Sequence, residues 1–122
     1  MIDHAYLNLM DRTDARWARL ISPAPELRSA PIWDLLTYLW RGGQSVRKTD
    51  ATNAMVSIRS PHTAAKYIGT AIESGLVVEI DNPDDKRSKK LMLSDTGRAR
   101  MDRFLDACVS DLLVASEHCR CH

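Results

Sequence analysis

Between Ser60 and Gly97 the chain reads SPHTAAKYIGTAIESGLVVEIDNPDDKRSKKLMLSDTG, and the punctuation of this run leaves few folds open. Ser60 is a favoured helix N-cap, and Pro61 suits a first helical turn, where a missing N–H loses no hydrogen bond. Behind them Ala64, Tyr67, Ile68, Ala71 and Ile72 recur at three- and four-residue spacing, which places them on one face to be buried together. His62, Thr63, Ala65, Lys66 and Thr70 are left facing out. Gly75 is placed to end the helix in the left-handed conformation that glycine enters without steric cost.

Leu76 to Ile80 is then an apolar, β-branched run, and Lys90 to Leu93 offers a second short strand. Asp81-Asn82-Pro83-Asp84-Asp85 lies between them as a strong turn. Upstream, Ser45 or Thr49 can cap a helix reaching Ile58, with Ala51, Ala54, Met55 and Ile58 inward. Its small residues allow close approach to the helix that follows, as the crossing of a helix-turn-helix demands, with Ile58-Arg59-Ser60 as the turn. Helix, turn, helix, strand, turn, strand is the order of a helix-turn-helix with a wing. The wing carries Lys86, Arg87, Lys89 and Lys90, more positive charge than a purely structural hairpin needs.

The segment GLVVEIDNPDDKRSKKLMLSDTG resembles the signature of MarR-type regulators. That signature has a glycine and a hydrophobic pair, a short strand, D-x-R, a second strand, then L-(T/S)-x-x-G. Gly75-Leu76-Val77, Asp85-Lys86-Arg87, Leu93-Ser94 and Gly97 meet it, and the resemblance spans roughly residues 32–100. It implies a mainly α fold with a small β-hairpin (α+β), a winged helix-turn-helix whose N- and C-terminal helices form a dimer interface. It also implies a sequence-specific regulator that binds a palindromic operator in double-stranded DNA, acts as a homodimeric repressor and is open to release by a small-molecule effector. In such a protein the N-terminal half of the recognition helix enters the major groove, so His62, Thr63, Ala65, Lys66 and Thr70 are expected to face DNA. Arg87 would enter the minor groove, with Lys86 and Lys89 beside it and Asp85 supporting the turn. The alternative is that Asp85 and Arg87 only brace each other. The chain departs from the family in a shorter first helix and in one terminal helix where relatives often have two.

The remaining chain reads as support. Residues 3–21 suggest an amphipathic helix through Tyr6, Leu7, Met10, Trp17, Leu20 and Ile21, with Thr13-Asp14 as a point of interruption. By resemblance this helix joins the dimer interface. Ser22-Pro23-Ala24-Pro25 breaks it. A second helix opens at Pro31, buries Ile32, Leu35, Leu36 and Leu39, and stops at Gly42-Gly43. Trp33, Tyr38 and Trp40 lie off that stripe, where they either pack against the first or last helix or line a ligand pocket. Ser94 can cap a last helix, along which Met101, Leu105, Cys108, Leu112, Ala115 and Cys119 follow at a period of about 3.5 residues, as in a helix-pairing seam. Met101, Leu105, Cys108, Leu112 and Ala115 are therefore the expected dimer contacts. The expected organisation is a single domain, with a supporting and dimerising segment at 1–30, the winged helix-turn-helix at 31–97, and a dimerisation helix with its tail at 98–122.

A net charge of +1 taken alone argues against a polyanionic partner, yet the charges are partitioned. Residues 41–80 hold five Lys/Arg against three acids, and residues 86–100 hold six against one, whereas residues 1–40 and 101–122 together hold six bases and nine acids. Basic charge gathers on the half expected to meet phosphates. The N-terminal MIDHAYLNLMDRTDARW has acids where a signal peptide has bases, and no run approaches the roughly 20 apolar residues of a membrane span, so a cytoplasmic protein without membrane contact is expected.

Other chemistries leave little trace. His118-Cys119-Arg120-Cys121-His122 clusters metal-binding side chains, but structural zinc uses pairs separated by two or more residues, and neither a metal nor a cofactor is expected. Cys108 reads as a core residue rather than a redox sensor. There is no Ser/His/Asp order, paired-carboxylate pattern or glycine-rich phosphate loop, so catalytic residues are not expected and the chain is read as a non-enzyme. Two other readings stay open: a winged-helix module that binds protein without DNA, and a metal-dependent sensor or enzyme.

Overall fold

Ile32, Leu35, Leu36 and Leu39 are at most 1% exposed, and the other elements are arranged around the helix that carries them. In the computed structural model, which describes residues 2–120 and the side chains of residues 4–117, this helix is α2 (Ala30–Gly42). Pro31 sits in its first turn, and Gly43 ends it in the left-handed conformation, φ 69°, with its N–H on the carbonyl of Leu39. α1 (Ile2–Leu20) precedes it, joined through a 3-10 turn at Pro25–Leu27. α1 is unbroken at Thr13, whose hydroxyl donates to the carbonyl of Leu9 at 3.0 Å and so finds its partner inside the helix.

After α2 come β1 (Val46–Arg47), α3 (Lys48–Ala54), α4 (Pro61–Glu73), β2 (Val77–Asp81), β3 (Lys89–Leu93) and α5 (Asp95–Arg120). The expected α+β class holds. The strands form an antiparallel sheet in the order β1-β3-β2, with Val46 opposite Leu91 and Val77 opposite Leu93. β1 was not anticipated, and it corrects the expected third helix. Neither Ser45 nor Thr49 caps α3; Arg47 stands at that position without a side-chain cap bond, and the helix ends at Ala54 rather than Ile58. Two residues carry no alternation to read, and what makes them a strand is pairing with β3 some forty positions away.

A single core links the elements: Trp17 and Ile21 from α1, the α2 stripe, Ala51 and Met55, Ala64, Ile68 and Ala71 from α4, Leu76, Val77, Leu91 and Leu93 from the wing, and Met101 and Phe104 from α5. Trp17, Trp33 and Phe104 meet where α1, α2 and α5 converge, with ring centroids 5.1–5.9 Å apart and tilted or edge-on geometry. The Trp17 indole donates to the carbonyl of Leu27 at 2.8 Å, which satisfies its polar atom in the core. The Arg100 guanidinium donates to the carbonyl of Ile21 at 2.9 Å, placing a cation at the negative end of α1.

The junction of wing and α5 explains the spacing of Gly75, Ser94 and Gly97. The Ser94 N–H donates to the carbonyl of Leu76 at 2.9 Å, its hydroxyl donates to the carbonyl of Gly75, and the same oxygen accepts from the Gly97 N–H at 2.9 Å. This brings the first turn of α5 onto the chain entering β2. A β-carbon at Gly97 would overlap the carbonyl oxygen of Leu76 and stand 2.9 Å from its carbonyl carbon. Only glycine permits that approach.

α1 and α5 run against each other. Arg16 reaches Asp111 through two nitrogens, each at 3.3 Å, and Asp111 is 5% exposed. The hydrogen bond and charge of Asp111 raise the Arg16 pKa above its ordinary value. Here the expected seam needs correction. Met101 is fully buried inside its own chain, and Leu105 and Cys108 are half-buried against the same core, because the first half of α5 closes over α2. Met101 is therefore unavailable to a second subunit. Leu112 is 53% exposed and Ala115 half-buried, and among the described residues the large apolar side chains left exposed on α5 are Val109, Leu112, Leu113 and Val114.

Candidate nucleic-acid interface

The N-terminus of α4 is set as the sequence suggests: the Ser60 hydroxyl oxygen accepts from the Thr63 N–H at 3.4 Å and Pro61 occupies the first turn. Ala64, Ile68 and Ala71 are buried, with Tyr67 and Ile72 packed at their edge. The outer face then presents His62, Ala65 and Lys66, all exposed, with Thr63 and Thr70 half-exposed. The Thr70 hydroxyl donates to the carbonyl of Lys66 at 3.0 Å, so its hydrogen is already used and only its lone pairs face outward.

The turn between α3 and α4 is held from outside by a residue that sequence reasoning missed. Asp34, on α2, accepts from the Ser57 hydroxyl at 2.7 Å and from the Ser57 N–H at 3.2 Å. From inside, Met55 is buried and Ile58 packs on the core. A carboxylate twenty-three residues upstream gives no local pattern to read, which is why it passed unnoticed.

The wing is built on register. Asp81 stands opposite Lys89 and forms an ion pair with it, which lowers the Asp81 pKa and raises that of Lys89 through the hydrogen bond first and charge second. Lys89, expected to meet DNA, is thus committed to a strut across the hairpin. In the loop, the Asn82 side-chain oxygen accepts from the Asp84 N–H at 3.0 Å and its amide donates to the Ser88 hydroxyl at 3.1 Å. Asn82 is 6% exposed and closes the turn, a role masked in sequence by its three acidic neighbours. Asp85 accepts from the Arg87 N–H at 2.9 Å, so it holds the backbone of the tip and leaves the guanidinium unpaired. Among the described residues Arg59, Lys66, Lys86 and Arg87 join no ion pair, whereas Arg47 pairs with Asp50 at 2.9 Å and Lys48 with Glu79 at 2.7 Å. The latter contact ties β2 to α3 and fixes the wing against the helices.

A second feature lies where α1, α2 and α5 meet. A cleft of about 230 Å³ has Trp17, Trp33 and Phe104 as its apolar floor and Met10, Arg28 and Ser29 among its rim residues. Arg28 and Asp14, both lining it, pair at 2.9 Å, and the buried Ser29 hydroxyl has no hydrogen-bond partner among the described residues. Trp33 thus packs against the first and last helices and also lines a cleft. Trp40 instead donates to Asp102 on α5 at 2.9 Å, and Tyr38 is half-buried at the core edge.

Burial pushes the Cys108 thiol up, against a smaller opposing effect of a hydrogen bond with Thr13. The cysteine and histidine side chains of His118-Cys119-Arg120-Cys121-His122 lie outside the described residues. Among the described residues no group of three His, Cys, Asp or Glu is placed to hold a metal, and no helix is long and apolar enough to cross a membrane.

No family model and no curated protein matches the chain. Solved structures are similar in fold. A mutant of MepR from S. aureus bound to an oligodeoxyribonucleotide superimposes with a TM-score of 0.70 at 18% identity, over 90% of this chain and 76% of that one. A MarR-like transcription regulator from Bacillus cereus gives 0.60 at 21% identity, over 99% and 78%. NadR in complex with 4-hydroxyphenylacetate gives 0.60 at 17% identity, over 91% and 77%. The fold is the winged helix of the MarR-like proteins.

Proposed function

We propose that this chain is a non-catalytic, cytoplasmic transcriptional regulator that binds double-stranded DNA sequence-specifically as a homodimer and acts as a repressor. The observation that carries the reading is the arrangement of unpaired cations. Lys66 on the outer face of α4, and Lys86 and Arg87 at the wing tip, join no ion pair among the described residues, whereas Arg47, Lys48 and Lys89 are each paired with a carboxylate. A surface meant only to be soluble has no use for a helix and a hairpin in succession that each present unpaired cations. A duplex does, because a helix fits its major groove while an arginine at a hairpin tip can reach the minor groove. MepR, of similar fold, is seen with an oligodeoxyribonucleotide.

On this reading His62, Thr63, Ala65 and Lys66 meet base edges and phosphates, and Arg87 enters the minor groove with Lys86 on the backbone. Thr70 sits deeper along α4 and offers only an acceptor. Lys89 acts as the wing's strut. Residues 31–97 form the DNA-reading core, and residues 1–30 with 98–122 carry dimerisation through Tyr6, Leu7 and Met10 of α1 and Val109, Leu112, Leu113 and Val114 of α5, which are 41–60% exposed. The cleft between α1, α2 and α5 supports release by a small effector, as NadR holds 4-hydroxyphenylacetate. Selecting bound fragments from random duplex DNA tests the proposal. Enrichment of an imperfect palindrome is expected, and a bound pool with no shared sequence would contradict it.

A further inference from the structure

We infer that Asp34 is a positioning residue for sequence discrimination, acting through Ser57 on the angle at which α4 meets DNA; this rests on the DNA-binding reading above. The turn from Met55 to Ser60 has no helix or strand to hold it. Inside, Met55 is 1% exposed and anchors one end, and Ile58 packs partly on the core, with its N–H on the carbonyl of Met55 at 3.0 Å. Outside, Val56 is 81% exposed and contributes no packing. The outer side is therefore held by Asp34, whose one carboxylate oxygen accepts both hydrogen-bond donors of Ser57.

Asp34 has no other use visible in the fold. Among the described residues it joins no ion pair, and its side chain makes no further hydrogen bond. An unneutralised carboxylate beside a surface that meets phosphates is unfavourable by charge alone. Two charge-assisted bonds to a single serine give it a purpose. Ser57 lies three residues before the N-cap Ser60, so movement of the turn is carried directly into the first turn of α4, where His62, Thr63 and Lys66 stand. Hydrogen bonds to base edges tolerate displacements of only about half an ångström, whereas phosphate contacts depend weakly on position. Loosening the turn should thus cost discrimination before it costs affinity for DNA in general.

Asp34→Ala removes both bonds, Asp34→Asn keeps the accepting oxygen, and Ser57→Ala removes the hydroxyl donor alone. The measurement is the ratio of affinities for a duplex selected by the wild-type protein and for an unrelated duplex, together with amide exchange across residues 56–63. With Asp34→Ala the ratio should fall about tenfold, the loss of roughly one well-made base contact, while affinity for unrelated duplex stays within about twofold. Asp34→Asn should restore most of the ratio, and the turn amides should exchange faster only in Asp34→Ala. Unchanged discrimination in Asp34→Ala would overturn the inference, as would equal losses on both duplexes with a lowered melting temperature. A wild-type protein that binds no duplex, with the turn still protected by Asp34, would overturn the DNA reading and leave Asp34 nothing to discriminate.

Discussion

Gly97 shows how closely a single residue can be constrained. The alanine variant would force a β-carbon into the carbonyl group of Leu76, backbone that no rotamer change can clear. Gly97→Ala is expected to lose at least about 2 kcal/mol of stability in denaturant unfolding, within the range for overpacked sites; melting like wild type would show that α5 docks more loosely than described. Lys66 and Arg87 should behave differently, since both are exposed and make no ion pair among the described residues. Their alanine variants should melt within about 0.5 kcal/mol of wild type. Arg87→Ala should weaken binding most on duplexes with A·T-rich flanks, where minor-groove potential is strongest. Lys66→Ala should either lose about 1–3 kcal/mol at one base position or weaken all sequences alike with a shallower salt slope. Titration across a flank series decides these outcomes. Equal binding by Arg87→Ala on every flank, with loss of thermal stability, would reduce Arg87 to a structural brace.

At the scale of elements, what could be read in the sequence was what local chemistry writes. Ser60-Pro61 starts α4, Gly75 follows it at φ 84°, and the leucines of α2 mark its buried face. What could not be read was what distant residues decide. β1 exists because β3 offers it partners, Asp34 because Ser57 folds beneath it, and Asn82 is a loop keystone that looks like one polar residue among several. α5 shows both cases. Its apolar repeat was plain, but which part meets the core depends on where α2 lies, so Met101 is internal and the exposed apolar surface begins at Val109. Leu112→Glu should therefore lower self-association and DNA affinity together without unfolding the chain, as followed by sedimentation; wild type that remains monomeric at high concentration would remove the basis of this expectation. Cys108 is also explained by packing. With its thiol pushed up by burial, it should resist alkylation at pH 7.5 in the folded protein and react on unfolding, as peptide mass analysis would show.

The whole molecule divides its labour along its length. α1 and α5 pack on each other and leave apolar side chains exposed, whereas α4 and the wing carry exposed cations. A two-fold pair of such chains would present two recognition helices, so half-sites are expected about 10 bp apart or at a multiple, and footprints on isolated half-sites would contradict a symmetric dimer. The central claim is that α4 and the wing meet phosphates and bases of a duplex. Its most direct test is affinity for a selected duplex measured against salt concentration, for wild type and for the Lys66→Ala/Arg87→Ala double variant. Log affinity should fall linearly with log salt in the wild type, with a slope shallower by about one for each phosphate contact removed in the variant. Affinity independent of salt, or the same slope in both proteins, would contradict the account.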